Sequence, residues 1–313
     1  MQKQWQPGIQ VRRRSLAHIA NRYWQLYLVL LIPVVYILVF HYIPMSGLVL
    51  AFKEYSVRKG ILGSPWVGMK YIEMLFTSPR VGQVVGNTLV LSLYQLVAGF
   101  PMPILLAIAL DKCRATALKK TVQMVTYAPY FISTVIMVAI VQQFFAMDVG
   151  MVNRIITETG GKSVNFLAST SIFRPLYVWT NVWQFTGFNA IVYLAALSSI
   201  DKELHEAAVV DGASLFQRVL HIDIPGISST IVILLILNVG RVMSIGFEKA
   251  FLMQNDMNLP VSEILATYVY KVGLVSNNFS FSTAVGLFNS VVNCVLILGA
   301  NFVAKKLGDT GIF

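Results

Sequence analysis

The sequence predicts an all-α membrane protein that crosses the bilayer six times. Of its 313 residues, 56% are hydrophobic and only 12% are charged, too apolar for a water-soluble domain of ordinary composition. The apolar residues gather at roughly 25–46, 84–110, 121–146, 174–198, 226–247 and 280–303. Each run is about long enough to cross a hydrocarbon core of ~30 Å with some tilt. A spanning backbone has no water to bond, and a helix satisfies its polar groups internally.

A basic lead, residues 1–24, carries Lys3, Arg12, Arg13, Arg14 and Arg22. No small-residue cleavage site follows the first apolar run, so that run is expected to stay in place as a membrane segment. Pro33, Pro101, Pro103 and Pro129 are expected to kink or end helices. The loop after the second run holds Lys112, Arg114, Lys119 and Lys120, and the tail, 304–313, holds Lys305 and Lys306. Basic residues collect on the cytoplasmic side, so both termini and the loop at 201–225 are expected there. The net charge of +10 then suits anionic headgroups of that leaflet and calls for no nucleic acid. Three segments (about 47–83, 147–173 and 248–279) fall outside and contain Gly, Pro and aromatics, as in GSPWVGMKY. They read as folded, with Trp66 an interfacial anchor as readily as a partner contact. Cys113 and Cys294 lie in different regions and suggest neither a disulfide nor a metal site.

The stretch Glu206–Pro225, EAAVVDGASLFQRVLHIDIP, reads as two short helices with a break. Glu206, Ala207 and Ala208 suit the opening of the first. Asp211-Gly212 is turn chemistry, because Gly tolerates backbone angles other residues adopt at a cost. Leu215, Phe216, Val219 and Leu220 repeat at helical spacing, and Pro225 suits the first turn of the next helix. A small-residue surface on such an elbow lets another protein's backbone approach closely.

This stretch resembles the EAA loop of bacterial ABC importer permeases, E-A-A-x3-G-x9-I-x-L-P, with Ile222 and Pro225 in register and Ile224 in place of Leu. IPMSGLVLAFKEYSVRKGILGSPWVGMKYIEMLF and NTLVLSLYQLVAGFPMPILLAIAL are similar to LplB-type polysaccharide permeases, a branch that includes the maltose and alginate permeases. The resemblance implies a type I importer bundle over 25–303 with a cytoplasmic coupling elbow at 201–225. It implies that Glu206, Ala207, Ala208, Asp211, Gly212, Ile222 and Pro225 engage an ATPase. The implied partners are a second similar permease, two ATPase subunits carrying ATP and Mg, and an extracytoplasmic solute-binding protein, in the inner membrane of a bacterium.

Nothing in the chain supports catalysis or a cofactor of its own. Gly161-Lys162-Ser163 approaches a phosphate-binding loop, but Ile156 stands where the first Gly is needed. His18, His41, His205 and His221 are scattered and read as structural. A secondary carrier or channel without an ATPase is the alternative. It predicts intramembrane carboxylates, and no span interior holds an Asp or Glu.

The expected substrate path rests on polar residues in the spans, which face the protein interior or a wet cavity. In the last span Ser282, Gly286, Asn289, Asn293 and Asn301 share a face; helix-to-helix bonding and path lining stay open for them. The fourth span offers Trp179, Asn181, Trp183, Gln184, Phe185 and Asn189, and rings beside amides suit a sugar, although Trp near a span end is equally a membrane-belt feature. The fifth adds Asn238 and Arg241. Arg241 lies some 16 residues after Pro225, about 24 Å along a continuous helix, where LplB-type relatives carry small residues. It is either a structural Arg bonded to carbonyls or to the partner permease, or a planar fork for carboxylates of an acidic, alginate-like oligosaccharide. Lys249 and Lys271 would add attraction for an anion.

Overall fold

A computed structural model describes the backbone of residues 16–308 and side chains of 23–306. Most of the basic lead and much of the tail lie outside the described residues. The described chain is helical without strands, save one antiparallel bridge between Lys53 and Trp66. It divides into two units, Met1–Leu50 and Ala51–Phe313.

The first unit is led by α1 (Leu16–Ile37), which leaves helical geometry at Tyr23. The helix continues through Pro33 and widens afterwards into a π turn at Leu38–Tyr42. Its side chains from Tyr23 to Ile43 are exposed, as suits a segment meant for lipid or another subunit.

The second unit begins with a folded loop and α2 (Lys70–Thr77), then α3 (Pro79–Gly99) and α4 (Pro101–Lys112), which together form one 34-residue apolar span. Pro101 stands in the first turn of α4, where the missing N–H has no helical partner to lose. α5 (Thr116–Tyr127) and α6 (Thr134–Phe144) flank a 3-10 turn holding Pro129 and meet at 103°. Ser133 caps α6 by accepting a bond from Ile136 N at 3.4 Å. After the short outer α7 (Met151–Glu158), α8 (Thr170–Ser198) is the longest helix so far. Its 29 residues extend about 43 Å, but its Trp, Asn and Gln content leaves it less apolar than the other spans.

α9 (Lys202–Val210) is capped by Asp201 and therefore starts four residues before Glu206, which lies mid-helix instead of opening it. α10 (Leu215–Arg218) carries a Ser214–Gln217 capping box and continues through a π turn, Val219–Asp223, to Ile224–Gly226. The chain then bends by 62° into α11 (Ser228–Val239). The fifth apolar run is thus helical for only part of 226–247: residues 240–246 form turns before α12 (Phe247–Met253). α13 (Leu265–Tyr270) and α14 (Phe279–Gly308) complete the unit.

Among the described residues, three helical stretches, Tyr23–Phe52, Pro79–Lys112 and Phe279–Lys306, are long and apolar enough to cross a membrane alone, and two bent pairs join them. α8 packs against α3, α4 and α5 and lies at the centre of the second unit. At Gly187 it touches α5 so closely that a methyl group would overlap the Thr126 carbonyl, the close backbone approach that small residues allow between membrane helices. One apolar core joins α3, α6, α8 and α12 through Leu91, Met137, Phe173, Tyr177 and Ala250; another joins α4, α8 and the start of α11 through Ala107, Ala190, Tyr193 and Ile227.

Candidate translocation cavity and coupling elbow

A cavity of about 690 Å³ opens among α3, α4, α8, α11 and the turns after α11. It collects polar side chains from elements far apart in sequence: Ser92 and Gln95, Asn181 and Asn189, Asn238 and Arg241, Glu248 and Lys249. Ser92 Oγ and Gln95 Oε1 are buried without a hydrogen-bond partner, and such atoms are unusual unless a ligand or water completes them. Gln184 is committed elsewhere, donating to Ile132 O at 2.9 Å.

The break after α11 shapes this site. A Cβ at Gly240 would come within 2.9 Å of Ile297 on α14, so a small residue is required where the two helices meet. Asn293 of α14 accepts from Met243 N at 3.1 Å and donates to Ser244 Oγ at 2.8 Å, which fixes the following turn. Arg241 lies between these two points. Its guanidinium has no hydrogen bond or ion pair among the described residues and lines the cavity, exposed. Lys249 lines it as well but is buried, donating to Tyr177 O at 3.0 Å with its ammonium 5.0 Å from that ring's centre. Lying beyond the fifth apolar run, it is held by burial at a pKa of about 7. Lys271 is not available to a ligand in the way its position suggested: it donates to Glu263 at 3.2 Å and Gln254 at 3.1 Å. Glu263, itself buried, also holds Arg80 at 2.6 Å.

Of the path residues read from sequence, Asn181, Asn189, Asn238 and Arg241 come together around the cavity. Trp179 and Trp183 point away, both about half exposed, with Trp179 Nε1 donating to Tyr94 OH at 3.1 Å. Asn289 and Asn293 are also outside the lining, and Asn293 acts as the helix-to-turn tie described above. Gln95, Ser92 and Glu248 escaped the sequence reading. Isolated polar residues in long apolar runs were the available signal for the first two.

At the other end of α8, the elbow forms a helix–turn–helix. Gly212 takes φ +78°, the left-handed region that favours Gly. Glu206, Ala207, Asp211 and Pro225 are exposed. So are the apolar side chains of Leu204 (56%), Val210 (86%), Leu215 (52%) and Phe216 (72%). Exposed apolar surface of this kind marks a contact site.

Residues 99–309 match the family described as binding-protein-dependent transport system inner membrane component. The chain belongs to that family. Among its relatives, Protein LplB of Bacillus subtilis (strain 168) is 43% identical over 92% of this chain and 91% of its own length. The polygalacturonan/rhamnogalacturonan transport system permease protein YteP of the same organism is 43% identical over 96% of this chain and 94% of its own. A bacterial alginate ABC transporter, solved in complex with an alginate pentasaccharide-bound periplasmic protein, matches with a TM-score of 0.88 and 37% identity, covering 96% of this chain and all of that one. This inner-membrane component is accordingly a permease subunit of an ABC importer, not an enzyme; ATP hydrolysis lies with a separate subunit.

Proposed function

We propose that this permease passes acidic, uronate-containing oligosaccharides through the cavity, with Arg241 receiving their carboxylates. The supporting observation is a guanidinium that lines a polar cavity together with unfilled hydrogen-bonding groups and without an internal partner among the described residues. A planar fork of this kind suits bidentate carboxylate binding, while Asn181, Asn189 and Gln95 suit sugar hydroxyls. The names of YteP and of the alginate transporter point to polyuronates as cargo of close relatives.

In the same reading six spans place both termini in the cytoplasm. α8 is the fourth span, its polar residues turned partly to the cavity. A second permease packs beside the chain, a periplasmic binding protein delivers substrate, and two ATPase subunits carry ATP and Mg. The elbow at 201–225 docks on one of these through Glu206, Ala207, Ala208, Asp211, Gly212, Ile222 and Pro225. Its uncovered apolar side chains support this, because a cytoplasmic surface of this kind otherwise meets water unfavourably.

Uptake into vesicles holding the complete transporter tests the substrate. Arg241→Ala is expected to lower uptake of uronate oligomers about tenfold, the scale of one hydrogen-bonded charge contact. Neutral oligosaccharide uptake by the unmutated protein that equals uronate uptake would sink the proposal.

A further inference from the structure

The elbow is joined to the bundle by more than its two chain ends. Asp223, at the end of the π turn, is 1% exposed. Lys112, the last residue of α4, donates a hydrogen bond to its Oδ1 at 3.0 Å and lies 2.8 Å from Oδ2. Lys112 Nζ is also 3.0 Å from Asp111. His205 of α9 brings Nε2 to 3.2 Å from Asp223 Oδ1. One buried carboxylate thus connects both arms of the elbow to a helix 111 residues away in sequence. The position of Lys112 at the C-terminus of α4 adds the favourable pole of the helix dipole.

The connection is directional. Leu204, Val210, Leu215 and Phe216 of the elbow remain uncovered, while Asp223 meets Lys112 of α4 and half-buried His205 meets Asp223. α4 and the end of α3 in turn supply Leu96, Gly99, Phe100 and Pro103 to the cavity wall. Pro103 lies nine residues before Lys112 on the same helix, about 13 Å along its axis. Both oxygens of Asp223 lie within 3.0 Å of the Lys112 ammonium, so the carboxylate is held by charge contact on both of its oxygens.

We propose that Asp223 is a positioning residue for energy coupling: through Lys112 and His205 it makes the elbow and α4 move together, so that displacement at the ATPase reaches the cavity wall. The proposal rests on the reading of the elbow as the ATPase contact.

The test uses the complete transporter in vesicles and measures transported oligosaccharide per ATP hydrolysed, with ATPase co-purification as a check of assembly. Asp223→Asn should keep the ATPase bound yet lower transport per ATP about fivefold, within the range by which residues on a coupling route act. Lys112→Gln should do the same, and the double variant should lose no more than either single one, because both remove one interaction. Asp223→Glu should recover part of the ratio, which a purely space-filling role would not give. An unchanged ratio in Asp223→Asn, or losses that multiply in the double variant, overturns the proposal. Should Asp223→Asn fail to reach the membrane, Lys112→Gln decides alone, since Asp223 then keeps His205. Gly212→Val separates the underlying reading: ATPase loss there with full coupling in Asp223→Asn removes only the Asp223 role. Normal binding and coupling in both removes the elbow reading itself.

Discussion

Gly212 offers the sharpest test of the elbow because its environment separates two explanations. Its φ of +78° demands a left-handed residue. A Cβ built there meets nothing within 4 Å, so any penalty in the free chain is one of backbone strain and not of collision. Alanine should cost about 1 kcal/mol, roughly a fivefold loss in population of the native turn. Valine, β-branched and a poor fit to positive φ, should cost more, whereas asparagine tolerates the region better than most residues. Co-purification of the ATPase with the permease, and substrate-stimulated hydrolysis, should therefore fall in the order Gly, Asn, Ala, Val. Membrane insertion should be retained throughout. If the three variants behave like the unmutated protein, the turn does not matter for docking. If asparagine is as damaging as valine, the loss reflects a side chain intruding between the elbow and its partner, and the strain argument is wrong.

Gly187→Leu should destabilise the bundle strongly, because even a methyl group overlaps the Thr126 carbonyl; detergent-solubilised protein should lose thermal stability by several degrees, as a ΔΔG of 1 kcal/mol or more would produce. Lys249, with its pKa lowered to about 7 by burial, is charged below that pH and neutral above it, so uronate uptake should fall as pH rises from 6 to 8. Lys249→Gln should flatten that profile. Orientation can be read by cysteine labelling in a Cys113→Ser, Cys294→Ser background: Leu62→Cys and Ser276→Cys, both exposed, should react with impermeant reagents from outside, and Ser214→Cys should not. Reversed labelling refutes a cytoplasmic elbow.

The elbow was largely legible because its determinants are local: Gly212 sets the turn, Ser214 and Gln217 the capping box, and Pro225 the next helical start. Glu206 is not the helix start, because Asp201, five residues before it, is the cap. Three helical stretches and two bent pairs were legible from hydropathy, since lipid imposes length and apolarity directly on the sequence. What hydropathy does not carry is the interruption of an apolar run. Residues 240–246 look like the end of a membrane helix, but Gly240 must approach Ile297, and Asn293 takes up the backbone N–H of Met243 that a helix would otherwise use. Both partners are about 50 residues downstream, so neither shows in the local pattern. The pairing of Lys271 is hidden from the sequence for a related reason. Lys271 pairs with Glu263, which the sequence places nearby without indicating that both it and Arg80 converge there.

This arrangement explains how a charged residue can sit inside an apolar run. In an unbroken helix Arg241 would project at a fixed angle toward lipid or a neighbouring helix, and lipid exposure would cost at least a few kcal/mol. Irregular backbone at membrane depth is tolerated where it lines a cavity, and here the turns aim Arg241 into one. The same turn is pinned on both sides, by Gly240 against Ile297 and by Asn293 on Met243 and Ser244, so the backbone that carries the cation is held in place. Buried carboxylates elsewhere in the chain have paired partners: Glu263 holds Arg80 and Lys271, and Asp223 holds Lys112 and His205. Those charges are neutralised within the protein and serve to join its elements. Arg241 differs in having its backbone held and its guanidinium left open. That is the condition expected of a group whose counter-charge is carried in by the substrate.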